Sequence, residues 1–330
     1  MYTEAALGID PYPRLAERAE YYREAERQHA LAGADLDRAW DVLHHGWVLE
    51  QLGRGAQGID RGRWALDQFR VLGCAQGVGE AQHGLAIWMF HASTDLGPVE
   101  SAFLDAAKAR ESIGELLLAA QSWHNLGYTQ LVSGRAESSW ASYERAAELL
   151  DRVRTGGDEG QAQSALRQMG FILSHRSYWM AIFRGPAEAI EASAEYFQHE
   201  AETGRPKEPA LAHLALGLAL RDGLPSGTDL RTIPKPELGA DPWAWIGRAV
   251  VLADPAQGKA PGARKRPYLG VYLRATSGLA ALEAAQGRPE QAESILWDGV
   301  GRAWARGWPA EVERLGAGPR SVDTLNPALC

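Results

Sequence analysis

Cysteine is scarce in this chain, and several other features are missing. Only two of its 330 residues are cysteine, Cys74 and Cys330. Two cysteines that far apart make neither a disulfide framework nor a zinc spacing, and they fit a reducing, cytoplasmic setting. No run approaches about 18 uninterrupted apolar residues, so no membrane span is expected. The opening MYTEAALGIDPYP lacks a basic stretch leading into an apolar one, so no signal peptide is expected either. Positive charge is in the minority. Lys and Arg number 34 against 42 Asp and Glu, a net −8, which argues against a nucleic-acid surface. The basic loop GKAPGARKRPY, Gly258 to Tyr268, goes against that trend and reads as a solvated linker. Alternating β-branched runs are absent, so no sheet is placed.

The chemical motifs are missing too. There is no phosphate-binding G-x-x-x-x-G-K-[ST], no dinucleotide G-x-G-x-x-G after a strand, no G-x-S-x-G elbow and no H-E-x-x-H. The aspartate-rich metal motifs of terpene synthases are absent, since DLDRAWD is one turn of an ordinary amphipathic start. Paired E-x-x-H motifs of a di-iron bundle are absent as well. Glu195 and His199 form a plain i,i+4 helix pair, read as a surface contact. No cofactor and no metal are implied.

What is present is helical periodicity, almost everywhere. In RLAERAEYYREAERQHALAG, Leu15, Ala19, Tyr22 and Ala25 recur at three- and four-residue steps with charges between them. Glycines fall near the expected helix ends, at Gly53, Gly97, Gly134, Gly185 and Gly287. Hydrophobic residues make up 45% of the chain, enough for a substantial core. Tryptophan is unusually common, with twelve against six Phe. The abundance of Ala, Arg and Gly is that of a GC-rich bacterial genome.

The stretch SWHNLGYTQLVSGRAESSWASYERAAELL, Ser122 to Leu150, is a helical hairpin with a breaker at Gly134. Its Trp123, Leu126–Gly127, Gly134, Ser139, Tyr143 and Ala146 resemble the tetratricopeptide repeat. LAALEAAQGRPEQAESILWDG matches again through Leu279–Ala280, Gly287, Ala292 and Leu296. Looser copies centre on Leu85–Ala86, Met169–Gly170 and Leu216–Gly217, with successive spacings of 41, 43 and 47 residues around Leu126. The earliest copy is opened by Trp40 to Leu43, with His44 where a small residue is expected. The spacings exceed the family's 34 residues and also suit HEAT or armadillo units, but the G-R-P-E-Q-A turn favours the tetratricopeptide reading.

That resemblance implies an all-α, right-handed α-solenoid with longer-than-usual helices. Residues 1–35 are expected to form a capping helix and 36–315 a single solenoid, with 223–242 able to serve as a lid and 316–330 as a tail. It also implies that first helices line a concave groove and stack equivalent positions into a ladder. Two residues before each L-G pair stand Asp41, His83, His124 and Arg167. One turn on are His45, Ile87, Tyr128 and Phe171, and another turn on are His91 and His175. The matching Leu214 and Ser277 are bland, so the candidate site lies in the N-terminal two-thirds.

The resemblance implies a binding protein whose groove holds a peptide, a partner-protein segment or a small molecule. The ligand-binding candidates are His45, His83, His91, His124, Tyr128, Arg167, Phe171 and His175. The alternative is an enzyme, such as a bacterial biosynthetic tailoring enzyme. There His83 and His124 serve as acid and base, Asp41 orients one of them, and Arg167 holds an anionic part of a largely apolar substrate. Metal binding by the same histidines is disfavoured, because no helix supplies an i,i+4 His pair. An adaptor acting through its convex face, or by self-association as a homo-oligomer, is the third option. Trp40 and Trp123 fall at the family's packing place. Trp88, Trp140, Trp179, Trp243 and Trp245 serve either extra core packing or an apolar pocket.

Overall fold

Helix ends in this chain are set by glycine. At Gly134 the backbone turns left-handed, with φ 73°. Its N–H donates to the Leu131 carbonyl at 3.0 Å, and the N–H of Arg135 donates to that of Gln130 at 2.9 Å. Those two bonds satisfy carbonyls that a terminating helix leaves open. The same pair closes the helices before Gly53–Arg54 and Gly287–Arg288. After the second of these, Pro289 opens the next helix at the position where its fixed φ suits the first turn.

The computed structural model describes residues 15–204, 209–223, 241–253 and 269–305. Among them are thirteen helices and no strand. They are α1 (Leu15–Ala32), α2 (Asp35–Gln51), α3 (Gly55–Val71), α4 (Ala75–Ala92), α5 (Gly97–Ser112), α6 (Leu116–Val132) and α7 (Ala136–Gly156). There follow α8 (Glu159–Phe183), α9 (Pro186–Thr203), α10 (Pro209–Asp222), α11 (Pro242–Ala253), α12 (Leu269–Ala285) and α13 (Pro289–Ala305). From α2 onward they alternate as first and second helices; the pairs α2–α3, α4–α5, α8–α9, α10–α11 and α12–α13 pack as hairpins, with α1 packed on α2. First helices of successive hairpins also meet, α2 with α4, α8 with α10 and α10 with α12. The long repeat has a simple origin, since α7 runs to 21 residues and α8 to 25.

The chain divides into two compact units, Met1–Thr129 and Gln130–Cys330. In the first, Ala39, Val42, Leu43, Ala65, Phe69, Leu85 and Trp88 form one buried cluster. In the second, Leu173, Ile190, Tyr196, Phe197, Leu216 and Trp245 do the same. Trp88, Trp179 and Trp245 are fully buried, so these three serve packing. The expected lid, apart from its ends, the basic loop 258–268 and the tail 316–330 lie outside the described residues.

One packing detail fixes the register of the first hairpin. A β-carbon on Gly58 would stand 3.0 Å from the Gly46 carbonyl oxygen. Glycine at both places lets α2 and α3 approach backbone to backbone. The small residue of this repeat is therefore Gly46 and not His44. Gly46, Gly53 and Gly58 follow the spacing of Gly127, Gly134 and Ser139.

Candidate functional site

A two-residue shift turns a helix by about 200°, enough to exchange its faces. With Gly46 as the anchor, Leu43, and not Asp41, matches His83 and His124. Likewise Trp47, and not His45, matches Ile87 and Tyr128. Burial agrees with this register. Leu43 and His83 are buried, whereas Trp47, Ile87 and Tyr128 keep part of their surface. The first-helix face of the first unit is thus a row of Trp47, Ile87 and Tyr128 across α2, α4 and α6.

Aromatic contacts tie this row to the core beneath. Trp47 meets Trp88 edge-on with ring centroids 5.1 Å apart, and Tyr128 meets Phe90 at 5.7 Å. Trp47 also lies against Gly84 of α4, where an added β-carbon would come within 3.3 Å of its ring. One turn beyond Ile87, His91 Nδ1 stands 3.0 Å from Glu50 Oε1. The His91 side chain is 18% exposed and that of Glu50 only 6%, so a carboxylate anchors an accessible imidazole. Toward the N-terminal end of α2, Trp40 stacks on His44 at 5.8 Å. Both are half-buried, and burial lowers the His44 pKa.

The other candidates of the first unit point elsewhere. Asp41 is fully buried and meets His29 Nδ1 of α1 at 2.5 Å, so it holds the capping helix. His83 is 3% exposed and faces α5 and α6. Its Nδ1 lies 3.0 Å from Ser122 Oγ and its ring edge meets Phe103 at 5.6 Å. Arg110, itself buried, donates to Ser122 Oγ at 2.8 Å and to the Leu118 carbonyl at 3.1 Å, and pairs with Glu80. Burial, and then the nearby Arg110, hold His83 well below the usual histidine range. It is a neutral packing element with no open surface for a substrate. His45 is buried with neither ring nitrogen partnered, and burial pushes its pKa down to about 4. His124 is half-buried, and burial brings it to about 4 against the opposing hydrogen bond of Asn125. His83, His124 and Asp41 therefore do not converge as an acid–base set.

Arg167, Phe171 and His175 belong to the second unit. Arg167 donates to Ser164 Oγ at 2.7 Å, one turn back on α8. His175 is buried, with Nδ1 2.8 Å from the Phe171 carbonyl and its ring 5.8 Å from that of Tyr143. Phe171 is half-buried. A groove of about 400 Å³ runs between α7 and α9 over α8. Leu150, Leu166, Met169 and Leu173 supply its apolar lining, and Arg176 and Glu195 are among its charged residues. His199 also lines it and does not pair with Glu195. Its Nε2 donates instead to the Leu166 carbonyl of α8 at 2.9 Å.

The residues that pattern reading missed are Trp47, Glu50, Arg110 and Ser122. The glycine spacing would have found the first, because it sets the register of α2. The others are long-range partners that no local pattern exposes. Among the described residues, no group of three or more His, Cys, Asp and Glu is placed to hold a metal ion. No helix among them is long and apolar enough to cross a membrane.

Neither a protein-family model nor a curated protein matches the chain. Solved structures do. A Rap protein complexed with competence and sporulation factor is similar over 92% of this chain and 75% of its own, with a TM-score of 0.59 and 12% sequence identity. At that identity the likeness concerns the fold. Together with the helical hairpins above, it makes this an all-α, tetratricopeptide-like α-solenoid protein.

Proposed function

We propose that this chain is a binding protein, and that it holds an extended peptide segment of a partner across the first-helix face of α2, α4 and α6. The observation that carries the reading is the row Trp47, Ile87 and Tyr128, all half-buried on successive first helices. Neighbouring helix axes lie about 8–10 Å apart. An extended chain in the polyproline II form advances about 9 Å in three residues. Every third side chain of such a segment would thus meet one helix of the row. Aromatic and aliphatic side chains suit this surface, with His91 offering a polar contact at its edge. That the similar Rap protein was crystallised with competence and sporulation factor supports a binding role for such a fold. The setting we infer is cytoplasmic. For catalysis, the burial of His83 and Asp41 offers no support.

Selection from a random-peptide display library against the intact chain tests this. Hydrogen exchange with a selected peptide bound should slow in residues 40–51, 80–91 and 121–129. Protection confined to the second helices, or no enriched peptide at all, would remove the reading.

A further inference from the structure

A second groove lies in the first unit, where α1, α2 and α3 meet, and it holds about 410 Å³. Glu26 of α1, Arg38 and Val42 of α2, and Gln57, Arg61 and Trp64 of α3 line it. Its charges are unevenly paired around Glu26. Arg61 pairs closely with one oxygen of Glu26, while Arg38 Nη2 stands 3.9 Å from the other. One carboxylate thus serves two guanidinium groups.

Arg38 is the less satisfied of the two. Its guanidinium stacks over the Trp64 ring, 4.8 Å from the centroid, and its Nε is buried without a partner. A guanidinium carries five N–H donors in a planar fork suited to carboxylate and phosphate oxygens. Here stacking fixes the plane of the fork and leaves its donors open. Both side chains remain about a third exposed, 35% for Arg38 and 33% for Arg61, so a small molecule can reach them. Asp60, which also lines the groove, is 79% exposed and sits 4.0 Å from Arg63 of its own helix.

A second observation points the same way. His45 is held low by burial first, and then by Arg61, Arg23 and Arg54. A field that opposes an imidazolium favours an anion.

We infer that this groove is a binding site for a small organic oxyanion, a carboxylate or phosphate held between Arg38 and Arg61, with its apolar body against Val42 and the Trp64 edge. The site is separate from the first-helix face and does not rest on the peptide-binding reading. Glu26 acts in it as an internal competitor, holding the two arginines in place when no anion is bound.

Calorimetric titration of the intact chain with phenyl phosphate and, separately, with phenylacetate tests the inference and distinguishes the two sources of the anion. Binding should weaken about tenfold or more in Arg38→Met, the loss expected for a charge-assisted hydrogen bond. It should weaken again with added salt. Arg61→Met also removes a tie between α3 and α1, so Glu26→Gln is the decisive variant. It removes the competitor, and binding should tighten several-fold even if melting falls slightly. A purely structural Glu26–arginine network predicts no gain. Absence of binding by both probes, or binding indifferent to Arg38→Met and Glu26→Gln, overturns the inference.

Discussion

The carbonyl oxygen of Gly46 and the α-carbon of Gly58 stand so close that a β-carbon on Gly58 would approach the oxygen to 3.0 Å. From the other side, a β-carbon on Gly46 would fall 2.7 Å from Trp88 and 3.3 Å from the Gly58 carbonyl. Ala ordinarily favours a helix over Gly by about 1 kcal/mol. Here the clash with a buried ring outweighs that gain. Gly46→Ala is expected to destabilise the chain by about 1–3 kcal/mol, as overpacked cores do, read from urea unfolding. An unchanged or higher midpoint would mean that Trp88 yields easily and that the register argument lacks its support.

Burial also decides how acid affects the protein. An unfolded histidine titrates near its ordinary pKa of about 6.5. Folded His45 and His124 take a proton only near 4, and His83 lies well below its usual value. Below pH about 6.5 the unfolded chain therefore binds more protons than the folded one. The stability these groups provide is complete above that pH and is lost as pH falls toward 4. Each can contribute a slope of up to about 1.4 kcal/mol per pH unit. Urea midpoints measured between pH 7 and pH 4.5 should fall steadily, and a flat profile would contradict the burial described here.

His45 sharpens that test. It occupies the place of Leu126 in the later repeat, buried and with both ring nitrogens unpartnered. Unpaired buried polar atoms cost about 1–3 kcal/mol. His45→Leu should therefore raise the urea midpoint at neutral pH and flatten part of its acid dependence. A loss of stability would show that the imidazole has a partner of its own.

Arg110 joins three helices of the first unit through Glu80, Ser122 and the Leu118 carbonyl. Arg110→Met should cost about 3 kcal/mol, as breaking a buried pair does. It should also raise the His83 pKa, because a neighbouring cation is removed while burial persists. Proton NMR of the His83 ring checks the direction, and a further drop would reverse the argument.

The legible and illegible parts of this molecule divide on physical grounds. The hairpins were readable because glycine at Gly134 and Gly287 and proline at Pro289 act locally, within one turn of the chain. The Leu216–Gly217 anchor also stands, since a β-carbon on Gly217 would meet the Ile246 side chain at 2.4 Å. In the first hairpin Trp40 mimics the packing tryptophan of the repeat, but the small residue is Gly46, and the place of Trp123 falls on Val42. That single shift placed Asp41 and His45 on a face they do not occupy. His83 was assigned to the right helix and the right repeat, but its environment depends on Arg110 and Ser122, 27 and 39 residues away in the chain. Partners at such distances follow from how the helices pack, not from the local period.

Ile87 is the midpoint of the row Trp47, Ile87 and Tyr128 proposed to bind a partner segment. The most direct measurement is the affinity of one selected peptide for Ile87→Arg, beside Glu144→Arg on the exposed side of α7 as a control. A loss of about tenfold or more is expected for the first, the effect of truncating or blocking a central contact, with binding unchanged in the second and both chains fully helical. Equal affinity in wild type and Ile87→Arg would contradict it and move the binding surface away from the first helices.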